Sequence, residues 1–461
     1  MWVATLAATI ASCGKPSPRV EVTDESFAPK LGETVASSPW FDGARVSLAG
    51  ARGETLGMVV VHGDGDVVVA VPDANVLGFG VRTVRVRHAS TALYGTGNRG
   101  AGDYPDELVP DAADPSYFQL AIPYAAAPGM HYGALIVDGQ IYPLELRVAR
   151  ATLAPLAVGA WAEYDPRSLG STMLVPTRDE AACVAMFRER GVMLAPAIPL
   201  AAWPMRRDLL GDAPFVPVRL DEPSEVPAWI AATQGTGKLP FAIPIDEPQN
   251  AKARGRVVEL AKRVRAAGGG SGRFLFAVTD RARADYGDWI DRFVSLQPRP
   301  GDWSYNGKPP SAGSMVVDGA PPGTRTWGWL AWRHHIPLWY AWQAMYWQDR
   351  YNHRALPPRP LDAHADARSF DDGEDRGNLD GVLALPGCHP TLRLEALRRG
   401  LEDRALLELA LRCDPSATAA LAAQIVPTPF VDTGPITWPT EPSRWEAARR
   451  QLLELASCAL R

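Results

Sequence analysis

The sequence predicts a two-part chain, an antiparallel β-sandwich followed by a (β/α)-barrel of the TIM type with C-terminal helices. Three observations predict it. Apolar residues make up 46% of 461, enough for more than one large core. Residues 20–152 carry short apolar or alternating runs punctuated by Gly and Pro, with few helical periods. From 153 onward, apolar strands alternate with amphipathic helices. The divisions are 1–19, a leader and linker; 20–152, the sandwich; and 153–461, the barrel with its closing helices.

The leader comes first. Trp2–Ala11 is an apolar run of ten residues, too short to span a bilayer but suited to a signal-peptide core. Ile10–Cys13, IASC, resembles a bacterial lipoprotein box in which Cys13 becomes the lipidated first residue. No Lys or Arg precedes the run, which departs from that pattern. The expectation is an exported lipoprotein of the bacterial cell envelope, periplasmic or surface, touching the membrane only through its lipid. No other segment reaches 18 uninterrupted apolar residues.

In the sandwich, GMVVVHGDGDVVVAVP (57–72) sets two apolar runs around a Gly-Asp turn and predicts a hairpin. TVRVRHAS (83–90) alternates with period two, and 118–150 hold three more short strands. In the barrel, PLAVGAW (155–161) precedes a helix whose Thr177 and Glu180 form a capping box. VMLAPAIPLAAW, FVPVRL, FAIPIDE and RFLFAVTD follow as strands. After FAIPIDE a helix places Val257, Leu260, Ala261 and Val264 on one face and stops at Gly268–Gly270. Eight clear pairs are not visible. Residues 281–385 are rich in Pro, Gly and Trp, so the barrel reads as irregular or incomplete. The end is helical, with stripes Leu394, Leu397, Leu401, Ala405 and Trp445, Ala448, Leu452, Leu455.

Charge excludes some functions. With 47 basic and 52 acidic side chains and no long basic block, a nucleic-acid footprint is absent. With Cys13 lipidated, four cysteines remain: Cys183, Cys388, Cys413 and Cys458. They form no CxxC, which argues against zinc. An oxidising compartment permits disulfides, but pairing is open, and small buried thiols are the alternative. GTGNRG (95–100) is not followed by a helix, and DDGEDRGNLDG (371–381) lacks calcium-loop spacing and reads as a solvated loop. His334-His335 reads as a packed pair, and no Gly-x-Ser-x-Gly elbow occurs. No metal or cofactor is expected. The 15 Trp serve either as core or as flat faces for sugar stacking.

Asp-Glu-Pro occurs twice, at Asp221–Pro223 and Asp246–Pro248, each after an apolar run. Catalytic groups of a barrel gather at the C-terminal ends of its strands. The second copy has the cleaner strand before it and the amphipathic helix after it. The bland reading for either is a helix-capping acidic loop. A usual glycosidase sets its two acids roughly 5 Å or 6.5–9.5 Å apart across the bond. Adjacent residues approach a sugar from one side. That suits an acid working beside a residue that holds a substrate-borne nucleophile, such as a 2-acetamido oxygen.

At this point the chain resembles glycoside hydrolase family 123 and the related domain of unknown function 4091. GDYPDELVP (102–110) and IPYAAAPGMHYGALIV (122–137) look like the group's sandwich signatures, and IPIDEP (243–248) like its catalytic pair. TRTWGWLAWRHHIPLWYAWQAMYW (324–347) looks like its aromatic segment, and NLDGVLALPG with LRLEALRRGLEDRALL like its C-terminal signature. The resemblance implies a catalytic barrel and an exo-acting, retaining β-N-acetylgalactosaminidase working by substrate assistance on terminal β-linked 2-acetamido sugars. It implies Glu247 as general acid/base and Asp246 as the residue orienting the acetamido group. Trp339, Tyr340, Trp342 and Trp347 would line the sugar subsite. Arg325 would bind sugar hydroxyls, with structural ion pairing as its alternative. His335-Ile336-Pro337 departs from the group's glycine-containing turn. The rival functions are a non-catalytic glycan-binding surface lipoprotein on this scaffold and a structural envelope protein whose acids only cap helices.

Overall fold

The structure is a computed structural model and describes residues 20–460 apart from 36–37, 64, 92–95, 271, 352–358, 372–374, 428–429 and 432. Cys13 lies outside the described residues.

The first part is a two-sheet sandwich. Its strands are β1 (Glu21–Thr23), β2 (Val46–Arg52), β3 (Thr55–Val61), β4 (Val67–Ala70), β5 (Asn75–Val86), β6 (Gly102–Val109), β7 (Ser116–Ala121), β8 (Gly129–Val137) and β9 (Gln140–Thr152). One sheet has the order β1-β3-β7-β5-β6 and the other β2-β9-β8-β4. Leu48, Met58, Val60, Leu120, Leu135, Leu144 and Leu146 fill the space between them.

Two expectations are corrected. The valine runs at 58–61 and 67–71 are not a hairpin, because β3 pairs with β1 and β7 while β4 pairs with β8 in the opposite sheet. The turn between them is an arch that lets both runs face one core. The Gly-Asp letters that suit a hairpin suit an arch equally. The sandwich is also not wholly antiparallel, since β2 runs parallel to β9. The Gly53-Glu54 turn, pinned by a 2.7 Å bond from the Ala51 amide to the Glu54 carboxylate, sends the chain into the other sheet before β2 can fold back.

The second part is a curled parallel sheet of eight strands. They are β10 (Ala160–Ala162), β11 (Val192–Leu194), β12 (Phe215–Pro217), β13 (Leu239–Ala242), β14 (Leu275–Val278), β15 (Arg292–Ser295), β16 (Trp303–Tyr305) and β17 (Trp339–Ala341). The order runs β11-β10-β17-β16-β15-β14-β13-β12. Its free ends meet at one parallel bridge, Ile198 to Val218, through bonds of 2.9 Å and 2.8 Å. Trp161, Phe241 and Trp303, from strands that are not neighbours, meet edge to face at 4.9 Å and 4.7 Å, so the interior is packed.

The helices are α1 (Arg178–Glu189), a single turn α2 (Trp203–Arg206), α3 (Val226–Thr233), α4 (Ala251–Ala266), α5 (Thr326–Arg333), α6 (Leu392–Cys413), α7 (Pro415–Ile425) and α8 (Pro442–Ala456). Between β14 and β15 the chain makes only short 3-10 turns, and no helix lies between β15 and β16 among the described residues. That is why eight β–α pairs were not legible. The capping box of α1 is half formed. Thr177 accepts from the Glu180 amide at 3.2 Å, but Glu180 turns inward to a buried ion pair with Arg206. In α4, Asn250 caps the start, and Ala253, Val257, Ala261 and Val264 are buried. α5 and α6 touch backbone to backbone: a Cβ on Gly328 would lie 1.7 Å from the Gly400 carbonyl.

Where α6 meets the sandwich, eleven charged side chains form one buried network. Arg325 pairs with Asp24 and Asp403, Arg449 with Asp403 and Glu54, and Arg399 with Glu54 and Glu402. Arg398 joins Glu402, Glu395 and Glu25, and Arg190 joins Glu395. Two disulfides, Cys183–Cys388 and Cys413–Cys458, use all four of the remaining cysteines.

Candidate active site

The chemistry gathers where β10, β13, β14, β16 and β17 end. β13 runs out at Ala242, and Asp246 and Glu247 stand four and five residues on, before α4. Glu247 adopts φ 40°, a left-handed conformation that a non-glycine residue takes at a cost. Thr279, just beyond β14, holds it there. Its hydroxyl accepts the Glu247 amide at 2.7 Å and donates to Asp246 Oδ1 at 2.5 Å. One side chain thereby fixes both acids relative to each other.

Glu247 is exposed as a residue, yet its carboxyl is partly buried close to the Tyr305 hydroxyl. Partial burial and the negative charge of Asp246 raise its pKa above the ordinary glutamate value, and the nearby Tyr305 hydroxyl opposes them. A third acid, Glu163, follows β10. It accepts the Tyr340 hydroxyl at 2.5 Å, and burial together with nearby Asp246 raises its pKa. Tyr305 and Tyr340 stack at 5.3 Å, and Tyr340 stacks on Trp161 at 4.2 Å. A fourth, Asp380, is buried and pushed up to about 7 by desolvation against the pull of Arg393, and it acts electrostatically on Tyr305. None of the four acids forms an ion pair among the described residues.

The structure sorts the sequence candidates. Asp246, Glu247 and Tyr340 share the mouth. Trp342 is there too, half-buried, its amide bonded to Asn306 Oδ1 at 2.9 Å and its ring 5.5 Å from Tyr346. Trp339 faces the other way, because adjacent strand residues alternate. It stacks on Trp327 of α5 at 4.6 Å and donates to the Asn306 carbonyl, so it is core. Trp347 donates to the Ala384 carbonyl and lines a separate cavity of about 620 Å³ with Asp165 and Tyr346. Arg325 is a correction. It is 1% exposed and held between Asp24 and Asp403, each at 2.8 Å, so its ion-pairing alternative holds. The acids of the first Asp-Glu-Pro, Asp221 and Glu222, are exposed and satisfied by Arg219 and Arg263. His335 takes φ 53°, the conformation that a glycine would supply in that turn.

Glu163, Thr279, Tyr305 and Asp380 were missed. Glu163 and Thr279 follow apolar strands and obey the same strand-end rule that found Asp246. Tyr305 sits on a strand hidden in the Pro- and Gly-rich stretch. Asp380 lay in an acidic segment read as solvated.

No protein-family model and no curated protein matches the sequence. Among solved structures, FMN-binding β-glucuronidase from Facaelibacterium prausnitzii L2-6 is only loosely similar, with TM-score 0.28 and 9% identity over 76% of this chain and 60% of that one. A family 123 glycoside hydrolase from Clostridium perfringens, described in terms of glycolipid glycan hydrolysis, superposes with TM-score 0.56 at 9% identity. That superposition covers 96% of this chain and 98% of that one, so the two proteins share one two-part fold over nearly their whole length.

Proposed function

We propose that the chain is a glycoside hydrolase that removes terminal β-linked 2-acetamido sugars, GalNAc foremost, by substrate-assisted retention. The observation that carries this reading is the adjacent Asp246–Glu247 pair, locked by Thr279, with the Glu247 carboxyl biased toward its protonated form. Glu247 donates its proton to the glycosidic oxygen as the bond to the anomeric carbon breaks. The acetamido oxygen of the sugar attacks that carbon from the opposite face, and Asp246 accepts the acetamido N–H and offsets the positive charge of the cyclic intermediate. The Glu247 carboxylate then takes a proton from water, which opens the ring with net retention. Tyr340 and Trp342 supply aromatic walls, with Trp161 packed behind Tyr340.

Glu163 favours a second reading, in which it and Glu247 form an ordinary two-carboxylate pair across the mouth. Nitrophenol release from aryl β-glycosides with and without the 2-acetamido group separates the two. Substrate assistance requires turnover of acetamido sugars alone. Hydrolysis of plain glycosides, abolished by Glu163→Gln, would favour the pair. Binding without turnover would leave a glycan-binding protein.

Export as an envelope lipoprotein is part of the same proposal. Two disulfides that use all four of the remaining cysteines suit an oxidising compartment. Incorporation of labelled palmitate, lost on Cys13→Ala, tests the anchor.

A further inference from the structure

A cavity of about 350 Å³ opens beside the general acid, lined by Glu247, Gln249, Arg281, Gln297, Tyr305 and Lys308 among others. It touches neither Asp246, Glu163 nor Tyr340. If the acetamido group sits at Asp246, this cavity is on the far side of the proton donor, where the leaving group departs. Its volume is of the order that holds a sugar-sized unit.

Its charge is unlike that of the mouth. Three cations, Arg254, Arg281 and Lys308, line it against two acids, Glu247 and Asp280, so cations are in excess on its wall. Arg254 is already bound by Asp280 at 2.9 Å and Asp285 at 3.1 Å. Lys308 is half-buried, and its ammonium makes no ion pair or hydrogen bond among the described residues. An ammonium with no partner of its own, on a half-buried side chain at a cavity wall, is free to take an oxyanion delivered by a ligand.

We propose that this cavity is a leaving-group subsite that selects glycans whose penultimate unit carries an oxyanion, a carboxylate or a sulfate ester, with Lys308 as the recognising cation. The side assigned to the leaving group rests on the hydrolase reading above. The test uses three disaccharides with the same terminal β-linked 2-acetamido sugar, on glucose, glucuronic acid or glucose 6-sulfate. The expected result is kcat/KM at least about ten-fold higher for one anionic substrate than for the neutral one, as one charge-assisted contact would give. The ratio falls to about one in Lys308→Gln, is recovered in part by Lys308→Arg, and shrinks in high salt. Preference for uronate or for sulfate names the anion. Equal rates in the wild type, or a preference that survives Lys308→Gln, overturn the proposal while the hydrolase reading stands. If nothing turns over, calorimetry with the same disaccharides decides. Tighter binding of an anionic disaccharide that Lys308→Gln abolishes keeps the subsite and removes the hydrolase. Equal or absent binding removes the subsite.

Discussion

The molecule holds one group of acids in its interior and another at the edge of solvent, and it surrounds them differently. At the junction of sandwich and α6, six carboxylates face five arginines. At the barrel mouth, Glu163, Asp246, Glu247 and Asp380 face tyrosines, a threonine and each other. The first arrangement satisfies charge. Arg325, Arg449 and Arg399 together hold Asp403 down at about 2 against its burial. The excess of one acid over the arginines is consistent with a retained proton, and burial raises Asp24 and Glu402 to about 7. The second arrangement places no salt-bridge partner on its acids among the described residues, and burial raises the pKa of Glu163, Glu247 and Asp380. The residue types are the same. What separates the groups is direct ion pairing: every junction acid touches a guanidinium, whereas the mouth acids meet hydroxyls and each other.

The largest effect expected is at the mouth. Glu247→Gln lowers turnover of an aryl 2-acetamido glycoside by about 10²–10⁴-fold with the fold intact, read by kinetics alongside circular dichroism. The matching change at the junction acts on stability. Arg449→Met strips a partner from both Glu54 and Asp403 and costs about 3–5 kcal/mol in denaturant unfolding. Activity per folded molecule holds if the two regions are independent, and a fall in it would break the contrast drawn here. Thr279→Val frees the Glu247 amide and one Asp246 oxygen, worth about 1–3 kcal/mol, so kcat falls about 10- to 100-fold.

Smaller effects follow from pH. Asp380 titrates at about 7 in the folded chain against 3.8 ordinarily, so the stability it lends is complete below 3.8 and lost as pH rises through 7. Asp380→Asn therefore raises Tm at pH 8 more than at pH 5. Asp403 runs the other way, its contribution lost as pH falls from 3.8 toward 2. In the pH profile of kcat/KM, Asp246→Asn removes a cause of the raised Glu247 pKa and moves the basic limb to lower pH. Tyr305→Phe removes the hydroxyl that opposes the shift and moves it higher. Limbs that stay put would show that Glu247 is not the titrating acid.

Much of this was legible in the sequence. Strand-end acids were visible because an apolar run followed by Asp-Glu-Pro is a local signal. Trp339 and Tyr340 were not separable, since a two-residue period decides which faces the barrel and the strand is three residues long. Arg325 looked like its neighbours in the aromatic segment, but its partners lie at Asp24 and Asp403, far away in the chain. The valine runs show the same limit. Their letters specify burial, not which of two sheets receives them.

The Cys183–Cys388 bond joins α1 to the chain just before α6, across a separation of 205 residues. Seven of the eight barrel strands lie inside that loop. The sheet edge meets itself through one backbone bridge, while the disulfide works as a covalent hoop around the same strands. In the loop-entropy view, so long a cross-link restricts the unfolded chain by roughly 5 kcal/mol. A protease that nicks any connection between 184 and 387 leaves both fragments tethered, so the loops around the mouth can be cut without the barrel coming apart in two pieces.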